Sequence, residues 1–175
     1  LDKHRIIGMG GALDSARFRT YLSIALGKPS SDIHGMVIGG HGDTTMIPLT
    51  RLATYNGIPI RNLLDKDHLD KVAADTMIGG KTLTGLLGTS AWYAPGAAVS
   101  SLVHAIACDQ HKMFPCSALL EGEYGLSDLC IGVPVIVGKN GIEKIVEIDL
   151  VDEEKEKLIE SALGVKATNN LLNDI

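Results

Sequence analysis

Residues 113–150 read MFPCSALLEGEYGLSDLCIGVPVIVGKNGIEKIVEIDL, and their punctuation decides the fold. Met113 to Leu120, Asp128 to Val137 and Gly141 to Leu150 are rich in apolar and β-branched residues, and they are separated by Glu123-Tyr124-Gly125 and Asn140-Gly141. Asparagine-glycine is the turn that joins antiparallel strands, so the segment predicts a three-stranded meander. Asp152 is then placed to cap a final helix reaching about Leu172, with acidic residues in the first turn, where the helix dipole favours them.

Upstream, the spacing of apolar residues predicts a helix from just after Pro95-Gly96 to about Gln110. It predicts another over Asp67 to Leu87, interrupted at Gly79-Gly80. Asn56-Gly57 marks a turn before Ile58-Pro59-Ile60, and an extended stretch surrounds Thr45 to Leu52. Ile33 to Ile38 reads as a short strand delivering the loop Gly39-Gly40-His41-Gly42-Asp43, and Leu13 to Leu26 as a helix stopped by Gly27-Lys28-Pro29. Strands grouped with strands and helices with helices argue for an α+β fold, antiparallel strands packed against long helices, since βαβ units would alternate.

The 175 residues are 45% apolar, enough for one domain with a real core, and the formal charge of −5 is spread along the chain. Nothing in that balance solicits nucleic acid. The longest apolar runs fall far short of the ~20 residues that cross a bilayer, which leaves a cytoplasmic protein as the expectation. Cys108, Cys116 and Cys130 have no metal-ligand spacing and read as reduced, largely buried thiols. His4, His34, His68, His104 and His111 likewise show no ligand spacing, so no metal is expected. Leu1-Asp2-Lys3-His4 runs directly into Arg5-Ile6-Ile7 and a glycine cluster, as in a chain entered partway through a longer one.

Ile6-Ile7-Gly8-Met9-Gly10-Gly11-Ala12-Leu13 has the outline of a phosphate cradle, but counting GxGxxG from Gly8 puts Leu13 where the third glycine belongs. Asp32 also precedes a strand instead of ending one. A tight turn into a helix is the better reading. Asp14 and Arg17 stand three apart on that helix, so carboxylate and guanidinium share a face; taken alone, such a pair is more often a weak surface ion pair. His41, set among glycines at a strand end, is poorly placed for a core, and the residues alone do not choose between a catalytic and a surface-loop histidine. An aspartate on one ring nitrogen would fix the tautomer and leave the other nitrogen to exchange a proton with substrate, and Asp14 is the candidate. Arg17 would add a planar fork for a carboxylate. The three together describe oxidation of a 2-hydroxy acid.

Gly10-Gly11-Ala12-Leu13-Asp14-Ser15-Ala16-Arg17-Phe18-Arg19, Gly39-Gly40-His41-Gly42-Asp43-Thr44 and Gly88-Thr89-Ser90-Ala91-Trp92-Tyr93-Ala94-Pro95 resemble the lactate/malate dehydrogenase family. Leu119-Leu120-Glu121-Gly122-Glu123-Tyr124-Gly125-Leu126 and Gly132-Val133-Pro134-Val135 continue the resemblance in order over essentially the whole chain. It implies the fold of that family's C-terminal domain, with His41 as proton acceptor and donor, Asp14 as its partner, and Arg17 on the substrate carboxylate. Ser90 would line the substrate pocket and Met9 would neighbour the nicotinamide of NAD. Gly40 and Thr44 resemble the bacterial malate type more than the lactate type, which remains the alternative. The resemblance also implies that residues 1–12 end a preceding dinucleotide-binding half, as a strand and turn, and that 13–175 form the substrate domain. The NAD fingerprint would lie in that preceding half, the whole would form a homo-oligomer, and this half alone would be inactive, no more than a binding or assembly domain.

Overall fold

In the computed structural model, which describes residues 1–171, helix α1 (Gly10–Leu26) is followed by five short strands: β1 (Ile33–His34), β2 (Val37–Gly39), β3 (Met46–Pro48), β4 (Thr54–Tyr55) and β5 (Ile58–Pro59). Helices α2 (Lys66–Leu87) and α3 (Tyr93–Ala107) come next, then strands β6 (Lys112–Glu121), β7 (Ser127–Gly138) and β8 (Gly141–Ile145), and helix α4 (Asp152–Asn170). The α+β expectation holds. β6, β7 and β8 pair as an antiparallel meander, and β7 also meets β2 through Gly39 and Gly132, which extends the sheet to β3. A second, three-stranded sheet runs β1-β4-β5, its hairpin turned at Asn56-Gly57, where both residues have positive φ (47° and 84°).

Two apolar clusters flank the β2–β3 hairpin. Side chains alternate across a strand, so Val37 and Met46 enter the cluster with Phe18, Leu22, Ile33 and Val72. Ile38 and Ile47, paired across the hairpin, enter the larger cluster with Val133, Val135, Leu158 and Ala162. The connection between these strands, residues 40–45, is where His41 stands.

Several sequence expectations shift. Ile33 to Ile38 is two strands in two sheets, broken at Gly35-Met36. α2 is continuous through Gly79-Gly80, because those glycines take the side chains of Tyr21 and Arg17 against the helix. That contact outweighs a propensity cost of about 1 kcal/mol each. α3 begins at Tyr93, ahead of Pro95, whose missing N–H falls among the first-turn donors that a helix leaves unbonded anyway. α1 begins at Gly10, before Leu13, and what precedes it is a 3₁₀ turn and a single bridge from Gly8 to Ser117. At α4 the cap position is Val151, with Asp152 as the first helical residue; the Glu154 carboxylate accepts from the Val151 N–H at 3.1 Å. Leu172 lies outside the described residues. Only Cys116 is buried, which pushes its thiol up to about 12, whereas Cys108 and Cys130 are exposed.

Leu22 is fully buried at the centre of the smaller cluster. Leu22→Ala is expected to cost about 2–5 kcal/mol, read as a lower urea midpoint; an unchanged midpoint contradicts this packing.

Candidate active site

Asp14 is 1% exposed in the first turns of α1, and a carboxylate so placed stays charged only if donors surround it. It has two. Arg17 Nη1 donates to Oδ1 at 2.9 Å, one turn along the same helix, and the His41 ring meets Oδ2 through Nδ1 at 2.6 Å. A carboxylate only accepts, so Nδ1 carries the proton and Nε2 is left facing outward from a side chain that is 53% exposed. The structure thus brings Asp14, His41 and Arg17 together.

Glycine spacing explains the closeness. A Cβ on Gly10 would stand 2.7 Å from the His41 ring carbon Cγ, so the head of α1 reaches the imidazole only because no side chain intervenes. Gly8 and Gly11 close on Ser117 and Pro115 in the same way. These glycines therefore serve packing, and they offer no cradle for phosphates. Arg17 lies along α2, where a Cβ on Gly80 would meet its guanidinium at 3.3 Å. Among the described residues its Nη2 and Nε bond to no protein acceptor, which leaves an edge of the fork for a ligand.

An open recess of about 310 Å³ lies beside Arg17, bordered by Leu13, Tyr21, Gly79, Leu86 and Ala94. Ser90 stands in the exposed turn between α2 and α3, flanked in sequence by Leu86 and Ala94, and the structure does not join it to Asp14, Arg17 or His41. Met9 precedes Gly10 at the head of α1, half-buried against the larger cluster. A larger recess of about 670 Å³ between α2, β3 and α4 contains none of the three site residues, and its Lys66 and Lys157 are paired with Asp70 and Glu153.

Two serines escaped the sequence reading. Ser15 accepts from the Val37 N–H at 2.8 Å, tying α1 to β2. Ser161 of α4 meets both Gly40 and Thr45 at the ends of the His41 loop. No local spacing announces either contact, because the partners lie 22 and more than 100 residues away. Spacing also hid a cluster between the segment ahead of β6 and strand β8: His111 Nδ1 lies 2.6 Å from Glu143 and Nε2 lies 3.5 Å from Asp109. With both ring nitrogens facing carboxylates, this is an ion-paired histidine.

Residues 11–173 match the lactate/malate dehydrogenase alpha/beta C-terminal domain. The chain belongs to the lactate/malate dehydrogenase family. Among its relatives in that family, malate dehydrogenase of Flavobacterium johnsoniae is 67% identical over 175 residues, all of this chain and 56% of the relative. That of Bacteroides thetaiotaomicron is 64% identical with the same coverage. The chain thus spans little more than half the length of the curated family members it matches. Of solved family structures, malate dehydrogenase from Salinibacter ruber superposes with a TM-score of 0.96 at 41% identity, over 99% of this chain and 57% of that one. Cryptosporidium parvum lactate dehydrogenase complexed with lactic acid and NAD superposes at 0.95 and 36% identity, over 100% of this chain and 57% of that one.

The hydrogen bond that His41 donates to Asp14 raises the His41 pKa above its ordinary value, against opposing contributions from burial and from Arg17. A raised folded pKa stabilises the fold fully below the unfolded value of about 6.5, and that contribution is lost as pH rises through the folded value. His111, raised by Glu143, adds a trend of the same sign, so the test is a difference. The gap between the urea midpoints of the wild type and His41→Asn should narrow from about pH 5.5 to about pH 9, whereas a gap independent of pH contradicts the Asp14–His41 bond.

Proposed function

We propose that this chain is the substrate-binding and proton-transfer half of an NAD-dependent malate dehydrogenase, interconverting malate and oxaloacetate. The observation that carries the reading is the buried Asp14 carboxylate bonded at once to Arg17 and to the proton-bearing Nδ1 of His41. In this assignment the free edge of the Arg17 fork binds the C1 carboxylate of malate, fixing C2 and its hydroxyl over the outward nitrogen of His41. Neutral His41 takes the hydroxyl proton on Nε2 as the C2 hydride departs, and Asp14 stabilises the resulting imidazolium. Running backward, the same imidazolium returns its proton to the oxygen of oxaloacetate. Arg17 opposes protonation of His41 electrostatically. A substrate carboxylate that neutralises Arg17 therefore raises the proton affinity of the base it faces.

NAD supplies the acceptor for the hydride. Of this chain we assign only Met9, which precedes Gly10 at the head of α1, to the nicotinamide, with Ser90 at the mouth of the substrate pocket. The rest of the dinucleotide belongs to the portion of the relatives that this chain does not span, for which residues 1–12 are the concluding segment. This half alone is then inactive. Exposed Trp92 and Tyr93, at 71% and 90%, and Ile24 on α1 favour burial against the rest of a homo-oligomer. The unpaired thiols favour a cytoplasmic setting. The competing lactate reading has the Cryptosporidium parvum lactate dehydrogenase backbone in its favour. Identity of 67% to a malate dehydrogenase, together with Gly40 before the histidine, favours malate.

In the complete enzyme, His41→Asn should lower kcat by at least about 1,000-fold while NADH binding persists. Arg17→Lys should chiefly raise KM, because a point charge does not reproduce the fork. Oxaloacetate should outpace pyruvate; the opposite preference assigns the lactate reaction, and near-normal turnover by His41→Asn removes His41 from the mechanism. Titrating NADH into the 175-residue chain should give neither binding nor turnover, whereas tight binding with turnover makes the chain a self-sufficient enzyme.

A further inference from the structure

His41 sits in a loop, and a base in a loop is only as well placed as the loop's ends. Residues 40–45 leave β2 at Gly39, whose φ of +89° suits glycine, and a Cβ there would collide with the Thr45 carbonyl and approach the Ser161 hydroxyl to 3.0 Å. The two ends of the loop are thus nearly in contact. One side chain closes the gap. Ser161 Oγ accepts from the Gly40 N–H at 2.8 Å and donates to the Thr45 carbonyl at 2.8 Å, using its single proton and one lone pair on the two ends of the same loop. It is 3% exposed, so water is poorly placed to substitute. Around it α4 is shaped to the loop: Gly164 leaves room for the Thr45 methyl, and Val165 lies against Gly40. Within the loop the Thr45 hydroxyl accepts from the Gly42 N–H at 3.0 Å, which carries the constraint past His41 on its far side.

We propose that Ser161 is a positioning residue for the proton-transfer step: its hydroxyl clamps the ends of the 40–45 loop and so holds the His41 ring on Asp14. It touches neither substrate nor the reacting atoms. The carboxylate clamp at Arg17 stands apart from this contact, on α1 against α2. Loss of the hydroxyl therefore loosens the base while leaving the substrate anchor in place. The inference rests on the role proposed above for His41, and it extends that role to a helix that sequence separation hides.

The test is Ser161→Ala in the complete enzyme, with alanine chosen because it is smaller and fits the same space. The expected result is a fall in kcat of about tenfold at a KM for the keto acid within about twofold of wild type. By NMR, the titration midpoint of the His41 ring should fall by at least about half a pH unit as its hold on Asp14 weakens. Ser161→Thr, which restores the hydroxyl, should recover most of both. A serine that serves stability alone would lower the melting temperature yet leave kcat per folded molecule and the His41 midpoint unchanged, and that outcome overturns the proposal. The NMR readout needs no turnover. If the parent enzyme reduces no keto acid, the proposed function fails, while an unchanged or lowered midpoint still decides the clamp.

Discussion

The constraint on which the site depends is a hairpin buried on both faces. β2 and β3 separate two apolar clusters, and their alternate side chains are divided between them. A slip of one residue would send Val37 and Met46 into the larger cluster and Ile38 and Ile47 into the smaller, so the register is fixed by packing on two sides at once. The connection between the strands inherits that fixity at both ends. A loop is usually the mobile part of a scaffold, but here its two roots are strands held in register by burial on both faces.

Onto this frame the protein adds one buried charge. Asp14 has almost no access to water, and removing either partner would leave a carboxylate under-satisfied in an apolar setting. Arg17 and His41 therefore meet the two oxygens of one carboxylate. The arrangement joins helix to loop and orients two side chains whose outer faces open toward solvent. A single carboxylate thus ties α1, Arg17 and the His41 loop together.

Much of this was legible in the residues. The meander, the Asn56-Gly57 hairpin and the α1 helix follow from periodicity and turn chemistry, which act over a few residues. Asp14 and Arg17 share a helical face by spacing alone, and the glycines around His41 mark an exposed loop. What was misread depends on distant partners. Gly79-Gly80 looks like a break until Arg17 and Tyr21 are seen packed against it; the tight turn read at Gly8, Gly10 and Gly11 likewise finds its packing reason only in Ser117, His41 and Pro115. Ser15 and Ser161 carry no local signal at all, since a buried hydroxyl bonded to remote backbone looks in sequence like any other serine.

The separations across the His41 loop bear on how the protein comes to be folded. Its neighbours are Asp14, 27 residues earlier, and Ser161, 121 residues later than Gly40, so the loop is bounded by contacts from near both extremes of the described chain. Closing contacts of such long range costs chain entropy that only a largely assembled core can offset. α4 follows every other described element, and during synthesis it leaves the ribosome after the hairpin it must seal. Both sheets can be paired while the histidine loop is still without its outer wall. The full set of contacts around His41 therefore becomes available only once α4, the last described element, has been synthesised.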